Sequence, residues 1–312
     1  MIDPELEPFL ELWREKWSVL QPGATPAARR KRFEAITHAM RLPTPTEVDT
    51  AGEHWVETDA GPVRVRIFRH TCGGVQPCLI FMHGGGFAQG SPESHWDIAA
   101  RIAAWNRQTV VSVDYALAPE EPFPAAIDQC TAVGHWAHAN AEKLCIDRNR
   151  IAVGGDSAGG NLAAAMALDL RGSEVPFTAQ LLIYPACDFD TSRPSYLENP
   201  NGPMIRMDGA VEAMYCPNVE DRRSPRYAPL LAESHAGLPP AYIAVAEHDP
   251  LRDSGRAYAQ ALREAGVAVT LDEGTGLIHG YLRALEFCEA SRRSLASMAA
   301  WLDGINKGEV SA

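Results

Sequence analysis

The chain has 312 residues, the composition of an ordinary globular protein and a formal net charge of −12 at pH 7. The length is compatible with one large α/β domain. The negative charge argues against nucleic acid or an anionic membrane as a partner, because both bind basic surfaces. No apolar run approaches the roughly 20 residues that cross a bilayer, so we expect no membrane span.

Cysteine usage and the first residues indicate the compartment. The seven cysteines form no CxxC pair and no cluster with metal-ligand spacing. This pattern is typical of free thiols in a reducing compartment. The opening segment MIDPELEPFLELW has neither a basic stretch nor a continuous apolar stretch, so no signal peptide is predicted. We therefore expect a cytoplasmic protein.

Two helices are predicted before any strand. The apolar residues of PELEPFLELWREKWSVL recur at helical spacing. A second helix is predicted over Ala27–Met40, and the prolines at positions 43 and 45 end it. Because these helices precede every predicted strand, we interpret residues 1–45 as cap helices that cover a core.

Short apolar segments alternate with helical segments from Pro62 onward. The first, PVRVRIFR, alternates apolar and charged residues as a half-buried strand does. The later strands are predicted in PCLIFM, TVVSVDY, RIAVGG, TAQLLIYPA, AYIAVAE and VAVTLDEG. The helices are predicted over Ser94–Trp105, Pro124–Lys143, Ala158–Leu170, Ser254–Ala265 and Gly280–Leu302. This alternation predicts an α/β protein with a mostly parallel central sheet and helices on both faces.

Residues 188–225 interrupt the alternation and are too long for an ordinary connection between a helix and a strand. One short helix is predicted within them, over Met204–Tyr215. We therefore predict a cap insertion at 188–225 and a catalytic core at 46–187 and 226–312. The large side chains of the insertion either line an acyl pocket or pack among themselves, and the sequence leaves both readings open: Tyr196, Met204, Met207, Met214 and Tyr215.

The segment GGDSAGGN, from Gly154 to Asn161, surrounds Ser157 with small residues. It lies between a predicted strand and a predicted helix, and it contains the G-x-S-x-G pattern of a nucleophile elbow. In that turn a strained backbone exposes the serine hydroxyl, and the glycines avoid collisions with the neighbouring strand and helix. The alternative is a glycine-rich phosphate loop, but no lysine follows at Walker spacing. The pattern therefore predicts that Ser157 is a nucleophile.

A serine hydroxyl needs a base that takes its proton. In α/β-hydrolases the acid and then the histidine follow the serine along the chain. The strand AYIAVAE is followed by Asp249, with Glu247 and Asp253 as other candidates, and only His279 lies beyond Asp249. We predict the triad Ser157, Asp249 and His279. The alternatives are a surface-loop histidine and a helix N-cap role for Asp249.

The HGGG loop, residues 83–86, follows a predicted strand that precedes the elbow. Backbone amides approach a ligand closely where no Cβ intervenes, so Gly85 and Gly86 are predicted to donate hydrogen bonds to an oxyanion. Ala158 supplies a third N–H from the elbow. We interpret His83 as an anchor of the loop, because it precedes the serine. We interpret Asp156 as a partner in a buried hydrogen bond or salt bridge.

The chain resembles the hormone-sensitive-lipase-like esterases, the bacterial family IV carboxylesterases. The resemblance covers most of residues 62–300 and lies in HGGGF, DYALAPEEPFPAAIDQC, GGDSAGGN, SPRYAPLL, GLPPAYIAVAEHDPLRDSGRAYAQALREAG and HGY. It implies an α/β-hydrolase core with a helical cap. It also implies hydrolysis of short- to medium-chain acyl esters through an acyl-enzyme, with no cofactor and no metal ion. Many members pair through an edge strand and the last helix, so a homodimer is among the states that the resemblance implies.

The family motifs carry over onto the same residues that the chain order indicates. They place Ser157, Asp249 and His279 in the triad, and they place the oxyanion donors at positions 85, 86 and 158. Two other functions stay open. An amidase or lactamase would use the same triad. A ligand receptor of the hydrolase fold, such as the related gibberellin receptors, loses the triad histidine, so the presence of His279 weighs against that function.

Overall fold

The computed structural model describes residues 1–21, 23–59, 61–205 and 209–309. Within these residues the strands are β1 Val48–Val56, β2 Val63–His70, β3 Gln76–Met82, β4 Thr109–Asp114, β5 Ile146–Asp156, β6 Phe177–Ile183, β7 Ala241–Ala244 and β8 Val269–Asp272. The α-helices are α1 Glu7–Trp17, α2 Pro26–Ala39, α3 Trp96–Asn106, α4 Ala125–Ala139, α5 Ala158–Asp169, α6 Pro194–Glu198, α7 Ala210–Tyr215, α8 Arg252–Glu264 and α9 Glu289–Lys307. None of these helices is long and apolar enough to cross a membrane.

The strands form one sheet in the order β1-β2-β4-β3-β5-β6-β7-β8. The pairs β1–β2 and β2–β4 are antiparallel, and the other neighbours are parallel. The prediction of a mostly parallel sheet is therefore confirmed. Because parallel strands end at the same edge, the segments that follow β3, β5 and β7 meet there, where open α/β sheets bind ligands.

The two faces of the sheet carry separate cores. All of β3 is buried, and its side chains alternate between the faces. Ile80 and Met82 pack with residues of α4, α5 and α8, whereas Leu79 and Phe81 pack with residues of α3 and α9. Helices thus cover both faces, as predicted. The helix α1 joins the second core through buried apolar side chains such as that of Phe9.

The strand β1 was not indicated by the sequence, which places the first strand at Pro62. Val48 and Val56 at its ends are buried, but most residues between them are exposed or half-buried. Its pairing with β2 is interrupted by a bulge between Asp49 and Gly52. An edge strand with so few apolar residues produces no clear alternation, so the periodicity misses it.

The predicted C-terminal helix over Gly280–Leu302 is wrong in its first part. Residues Tyr281–Ala284 form a 3₁₀ turn, and α9 begins only at Glu289. Gly280 has a left-handed backbone with φ of 72°, and Cys288 is extended at the N-cap of α9. A helix cannot run through either conformation.

Two other predicted helices are shorter in the structure. The helix predicted to reach Lys143 ends at Ala139. The helix predicted from Met204 begins at Ala210, after Gly209 with φ of 76°. Met207, one of the pocket candidates, lies outside the described residues.

Candidate active site

The turn between β5 and α5 holds Ser157 in a strained conformation. Its φ is 56° and its ψ is −117°, a region that costs on the order of 1–3 kcal/mol for a residue other than glycine. A Cβ on Gly155 would overlap the carbonyl oxygen of Gly159, and a Cβ on Gly159 would overlap that of Met82 on β3. The collisions that the sequence predicts are therefore present, and both positions require glycine.

The hydroxyl, the imidazole and the carboxylate of the predicted triad form one chain of hydrogen bonds. Ser157 Oγ donates to His279 Nε2 over 2.9 Å, and His279 Nδ1 donates to Asp249 Oδ2 over 2.7 Å. The three residues are 8%, 7% and 0% exposed. With its Nδ1–H held by the carboxylate, the imidazole presents the Nε2 lone pair to the hydroxyl and can accept its proton.

A single bridge between two loops sets the acid beside the imidazole. His248 pairs with Ile278 in a parallel bridge, and His248 N donates to Leu277 O over 2.9 Å. The next residue on each segment is Asp249 or His279, so the register puts their side chains next to each other. His248 therefore contributes to this site through its backbone.

The other two acid candidates make their contacts elsewhere. Glu247 Oε2 accepts the N–H of Gly276 over 2.7 Å, and Asp253 Oδ2 accepts that of Ser195 over 2.8 Å. The N-cap alternative for Asp249 does not compete with the triad. Its Oδ1 accepts the N–H of Leu251 just before α8, while its Oδ2 contacts the imidazole.

The HGGG loop and the elbow together leave three amides free beside the serine. Gly85 and Gly86 have positive φ angles of 137° and 60°. Within the described ranges, no protein acceptor takes the N–H of Gly85, Gly86 or Ala158. All three residues line the same cavity as Ser157 and His279. The arrangement offers these amides to a negatively charged oxygen formed at the serine.

His83 and Asp156 contact the HGGG loop and fix its position. The ring of His83 stacks on that of Tyr115 with centroids 4.2 Å apart, and burial lowers the pKa of His83 to about 3. The ring is therefore neutral, and its Nδ1 lies 3.1 Å from Gly84 O. Asp156 Oδ1 accepts the N–H of Gly84 over 2.8 Å, and its Oδ2 accepts the hydroxyl of Tyr184 over 3.3 Å. Asp156 thus takes the buried role that the sequence predicts.

A cavity of about 700 Å³ lies over the serine. Trp13 on α1, Phe33 on α2 and Val211 on α7 are among the residues that line it. The sequence indicates two helices at the N-terminus but not which of their side chains reach the cavity. Helical spacing alone does not say which apolar side chains pack in the core and which border a cavity.

The pocket candidates of the insertion divide into two groups. Met204 and Met214 line the cavity. Tyr196 and Tyr215 do not line it, so for these two residues the packing alternative applies. Tyr215 stacks face to face on Phe87 with centroids 3.7 Å apart, and Tyr196 packs in a small cluster beside the sheet edge.

Comparisons with known proteins agree on the fold and the chemistry. A family model described as the alpha/beta hydrolase fold matches residues 79–283. The carboxylesterase NlhH of Mycobacterium tuberculosis is 43% identical over 234 residues, which are 71% of this chain and 73% of that protein. The ethyl acetate hydrolase of Pseudomonas putida is 32% identical over 306 residues, or 94% and 96% of the two chains. The solved hyperthermophilic esterase from the archaeon Pyrobaculum calidifontis matches with a TM-score of 0.89 and 32% identity, covering 98% of this chain and 99% of its own.

Proposed function

Since the chain belongs to the α/β-hydrolase family and is a carboxylic ester hydrolase, we propose that Ser157, His279 and Asp249 form its catalytic triad. The observation that carries this proposal is the continuous chain of two hydrogen bonds from Ser157 Oγ to Asp249 Oδ2. The esterase relatives also fit the hormone-sensitive-lipase-like group that the sequence resembles.

In the first half of the reaction, Ser157 Oγ attacks the ester carbonyl carbon while His279 Nε2 takes the hydroxyl proton. The carbonyl oxygen becomes an oxyanion and accepts hydrogen bonds from the N–H groups at positions 85, 86 and 158. Removing one such donor typically costs about 10²–10³ in rate. Asp249 stabilises the imidazolium that forms. When the ester C–O bond breaks, His279 returns the proton to the leaving alkoxide and the acyl-enzyme remains.

In the second half, a water molecule takes the place of the alcohol. His279 accepts a proton from the water, whose oxygen attacks the acyl carbon. The second oxyanion collapses, the bond to Ser157 breaks, and His279 returns the proton to Ser157 Oγ. The products are one alcohol and one carboxylic acid. Every proton in this scheme is moved by His279, so the scheme uses no cofactor and no metal ion.

The proposed substrates are esters of short- to medium-chain acids. A cavity of about 700 Å³ lies in the size range of pockets that enclose small organic ligands. The name of the Pseudomonas putida relative, ethyl acetate hydrolase, is in line with a small substrate. The test is a series of p-nitrophenyl esters from acetate to palmitate. We expect the highest kcat/KM at or below octanoate, and an optimum at palmitate would contradict the proposal.

The same assays separate esterase from amidase activity. The p-nitroanilide of butyric acid matches p-nitrophenyl butyrate except for the scissile bond. We expect the ester to be turned over at least about 100-fold faster, because an amide nitrogen is a much poorer leaving group without strong protonation. Equal rates would favour the amidase alternative.

We further propose the assembly and location of the protein. Residues 1–45 and 188–225 form the cap over a core of 46–187 and 226–312, supported by the side chains of both segments that line the cavity. All seven cysteines are free thiols, which supports a cytoplasmic location. The proposal excludes nucleic acid as a partner, because the net charge is −12. It includes a homodimer as the family resemblance implies, and light scattering on the purified protein tests that state.

A further inference from the structure

We infer that Arg283 is a positioning residue that fixes the HGGG loop through His95, and that it links this loop to the cap helices. The inference rests on the proposed oxyanion site. The guanidinium touches neither the triad nor the three free amides by hydrogen bonds. It acts on Gly84, the residue directly before the two proposed oxyanion donors.

The ring of His95 connects Arg283 to the loop. Its Nε2 lies 2.6 Å from Arg283 Nη2 and 3.2 Å from Gly84 N. Asp156 Oδ1 also lies 3.4 Å from this Nε2. A guanidinium and a backbone amide only donate, however, so the two shorter contacts assign Nε2 as an unprotonated acceptor. The proton is then on Nδ1, which lies 2.9 Å from Ser94 Oγ and 3.3 Å from Ser91 O. Burial lowers the pKa of His95, in agreement with a neutral ring.

The Gly84 amide is held from two sides. It donates to Asp156 Oδ1 over 2.8 Å as well as to His95 Nε2. A Cβ on Gly84 would lie 2.5 Å from Asp156 Oδ2, so the loop and the carboxylate are in close contact. Burial favours the neutral form of Asp156, yet its pKa lies below the ordinary value. The contact with His95, the positive charge of Arg283 and the Gly84 N–H all lower this pKa, and because the His95 ring is neutral, the full positive charge among them is that of Arg283.

The charge of Arg283 therefore offsets a buried negative charge beside the proposed oxyanion site. An uncompensated carboxylate at that place would oppose the second negative charge that develops on the substrate oxygen. Arg283 thus contributes in two ways: it orients the ring that receives the Gly84 amide, and it balances Asp156.

The same guanidinium reaches the cap. Arg283 lies in the 3₁₀ turn that follows His279, and its Nη1 donates to Ser94 O over 3.2 Å. Its Cζ lies 4.6 Å from the ring centre of Phe33 on α2 and 5.9 Å from that of Trp13 on α1. A cation over an aromatic face is attracted to it, and more strongly where both are partly shielded from water. The position of Arg283 therefore depends on the docked cap helices.

The first test is Arg283→Met, which keeps an unbranched side chain against Phe33 and removes the charge and both donors. A misplacement of the oxyanion donors by about 1 Å can cost 10²-fold in rate. We expect kcat on p-nitrophenyl butyrate to fall by about 10- to 100-fold, with KM changed by less than about threefold, because the oxyanion forms only in the transition state. Arg283→Lys, which retains the charge, should recover part of the loss.

Two inhibitors separate positioning from a general structural role. An alkyl trifluoromethyl ketone adds Ser157 Oγ and forms an oxyanion, whereas butyl p-nitrophenyl ether has no carbonyl group. In Arg283→Met the affinity for the ketone should fall by about the same factor as kcat, while the affinity for the ether stays the same. Titration of active sites with a phosphonate corrects for misfolded protein. The matched control is Arg292→Met on α9, since Arg292 bonds to Leu285 O and to Glu289 away from the site.

The link to the cap is tested by a double-mutant cycle with Phe33→Leu. If the cap acts on the loop through Arg283, Phe33→Leu lowers kcat in the wild-type background and has little further effect in Arg283→Met. Additive effects on kcat would overturn the link. An unchanged kcat and ketone affinity in Arg283→Met would overturn the positioning role. Neither result would contradict the proposed function, which fails only if the wild-type protein does not hydrolyse the ester or if Ser157→Ala does.

Discussion

The carboxyl edge of the sheet differs from the roof of the cavity, by which we mean the proposed cap insertion at residues 188–225, in how closely its atoms are packed. At the edge, backbone atoms approach so closely that Gly155 and Gly159 leave no room for a Cβ, and the three residues of the proposed triad are almost fully buried. In the roof, α6 and α7 have five and six residues, and Leu197 and Val219 are exposed. The edge therefore requires particular residues at particular positions, whereas the roof requires only side chains that preserve the shape of the cavity. Substitutions at the edge should change the rate of the chemistry, and substitutions in the roof should change which ester fits.

The largest effect is expected for Ser157→Ala. Without the hydroxyl no acyl-enzyme forms, and kcat on p-nitrophenyl butyrate should fall by at least about 10⁴-fold. The thermal unfolding midpoint should not decrease, because the substitution removes no contact except the hydrogen bond to His279. Ser192→Ala in an exposed part of the insertion is the matched control. Turnover in Ser157→Ala close to that of the control would show that the nucleophile lies elsewhere.

The next largest effect is expected for Asp249→Asn. An amide in place of the carboxylate no longer favours the Nδ1–H tautomer of His279, and kcat should fall by about 10³–10⁴-fold. Glu247→Gln is the matched control, since Glu247 is the other candidate acid of the same loop and its amide oxygen can still accept the Gly276 N–H. Steady-state kinetics of both variants show which of the two carboxylates assists His279. A severe loss in Glu247→Gln with an active Asp249→Asn would reverse the assignment.

Two glycines of α5 test the close packing at the edge through the free energy of unfolding. Alanine is favoured over glycine in a helix by about 1 kcal/mol, so both Gly159→Ala and Gly160→Ala gain this term. In Gly159→Ala the new Cβ overlaps the backbone of Met82, and we expect a net loss of about 1–3 kcal/mol. In Gly160→Ala the nearest atom, Pro185 Cβ, lies 2.9 Å from the new Cβ, compared with 2.0 Å for Met82 O in Gly159→Ala, so the loss should be smaller. Urea unfolding measures both, and equal losses would contradict the role of the backbone contact.

The smallest effect is expected in the roof. Val211 lines the cavity above Gly86, and Val211→Phe should shorten the space for the acyl chain. We expect kcat/KM for the octanoate ester to fall by about tenfold relative to the acetate ester, in keeping with the limited discrimination of apolar pockets. Val219→Phe is the control, because Val219 is 64% exposed in the same insertion. A parallel loss on acetate and octanoate would mean that this wall does not select chain length.

The parts of the site that depend on local contacts could be predicted from the sequence. The strained turn at Ser157 requires small neighbours, and these are visible as GGDSAGGN. The order of acid and histidine along the chain narrows the other two members to Asp249 and His279. The sheet and its two layers of helices follow from apolar segments that alternate with helical ones.

The parts that depend on distant contacts could not be predicted. The bridge between His248 and Ile278 is a single pair and leaves no periodic pattern. Arg283 and His95 are 188 residues apart, and neither belongs to a motif that the sequence analysis used. The strand β1 is polar because it lies at an edge, so its pairing with β2 is decided by tertiary structure rather than by its own residues.

The most direct test of the account is covalent labelling by diethyl p-nitrophenyl phosphate. An activated serine displaces p-nitrophenol from this reagent and keeps the diethylphosphoryl group, because its oxyanion donors and base assist the attack. Peptide mass spectrometry then locates the label. We predict one label per chain, on Ser157, formed in parallel with the loss of esterase activity and absent from Ser157→Ala. A label on a different residue, or full inhibition of ester hydrolysis with Ser157 unmodified, would contradict the account.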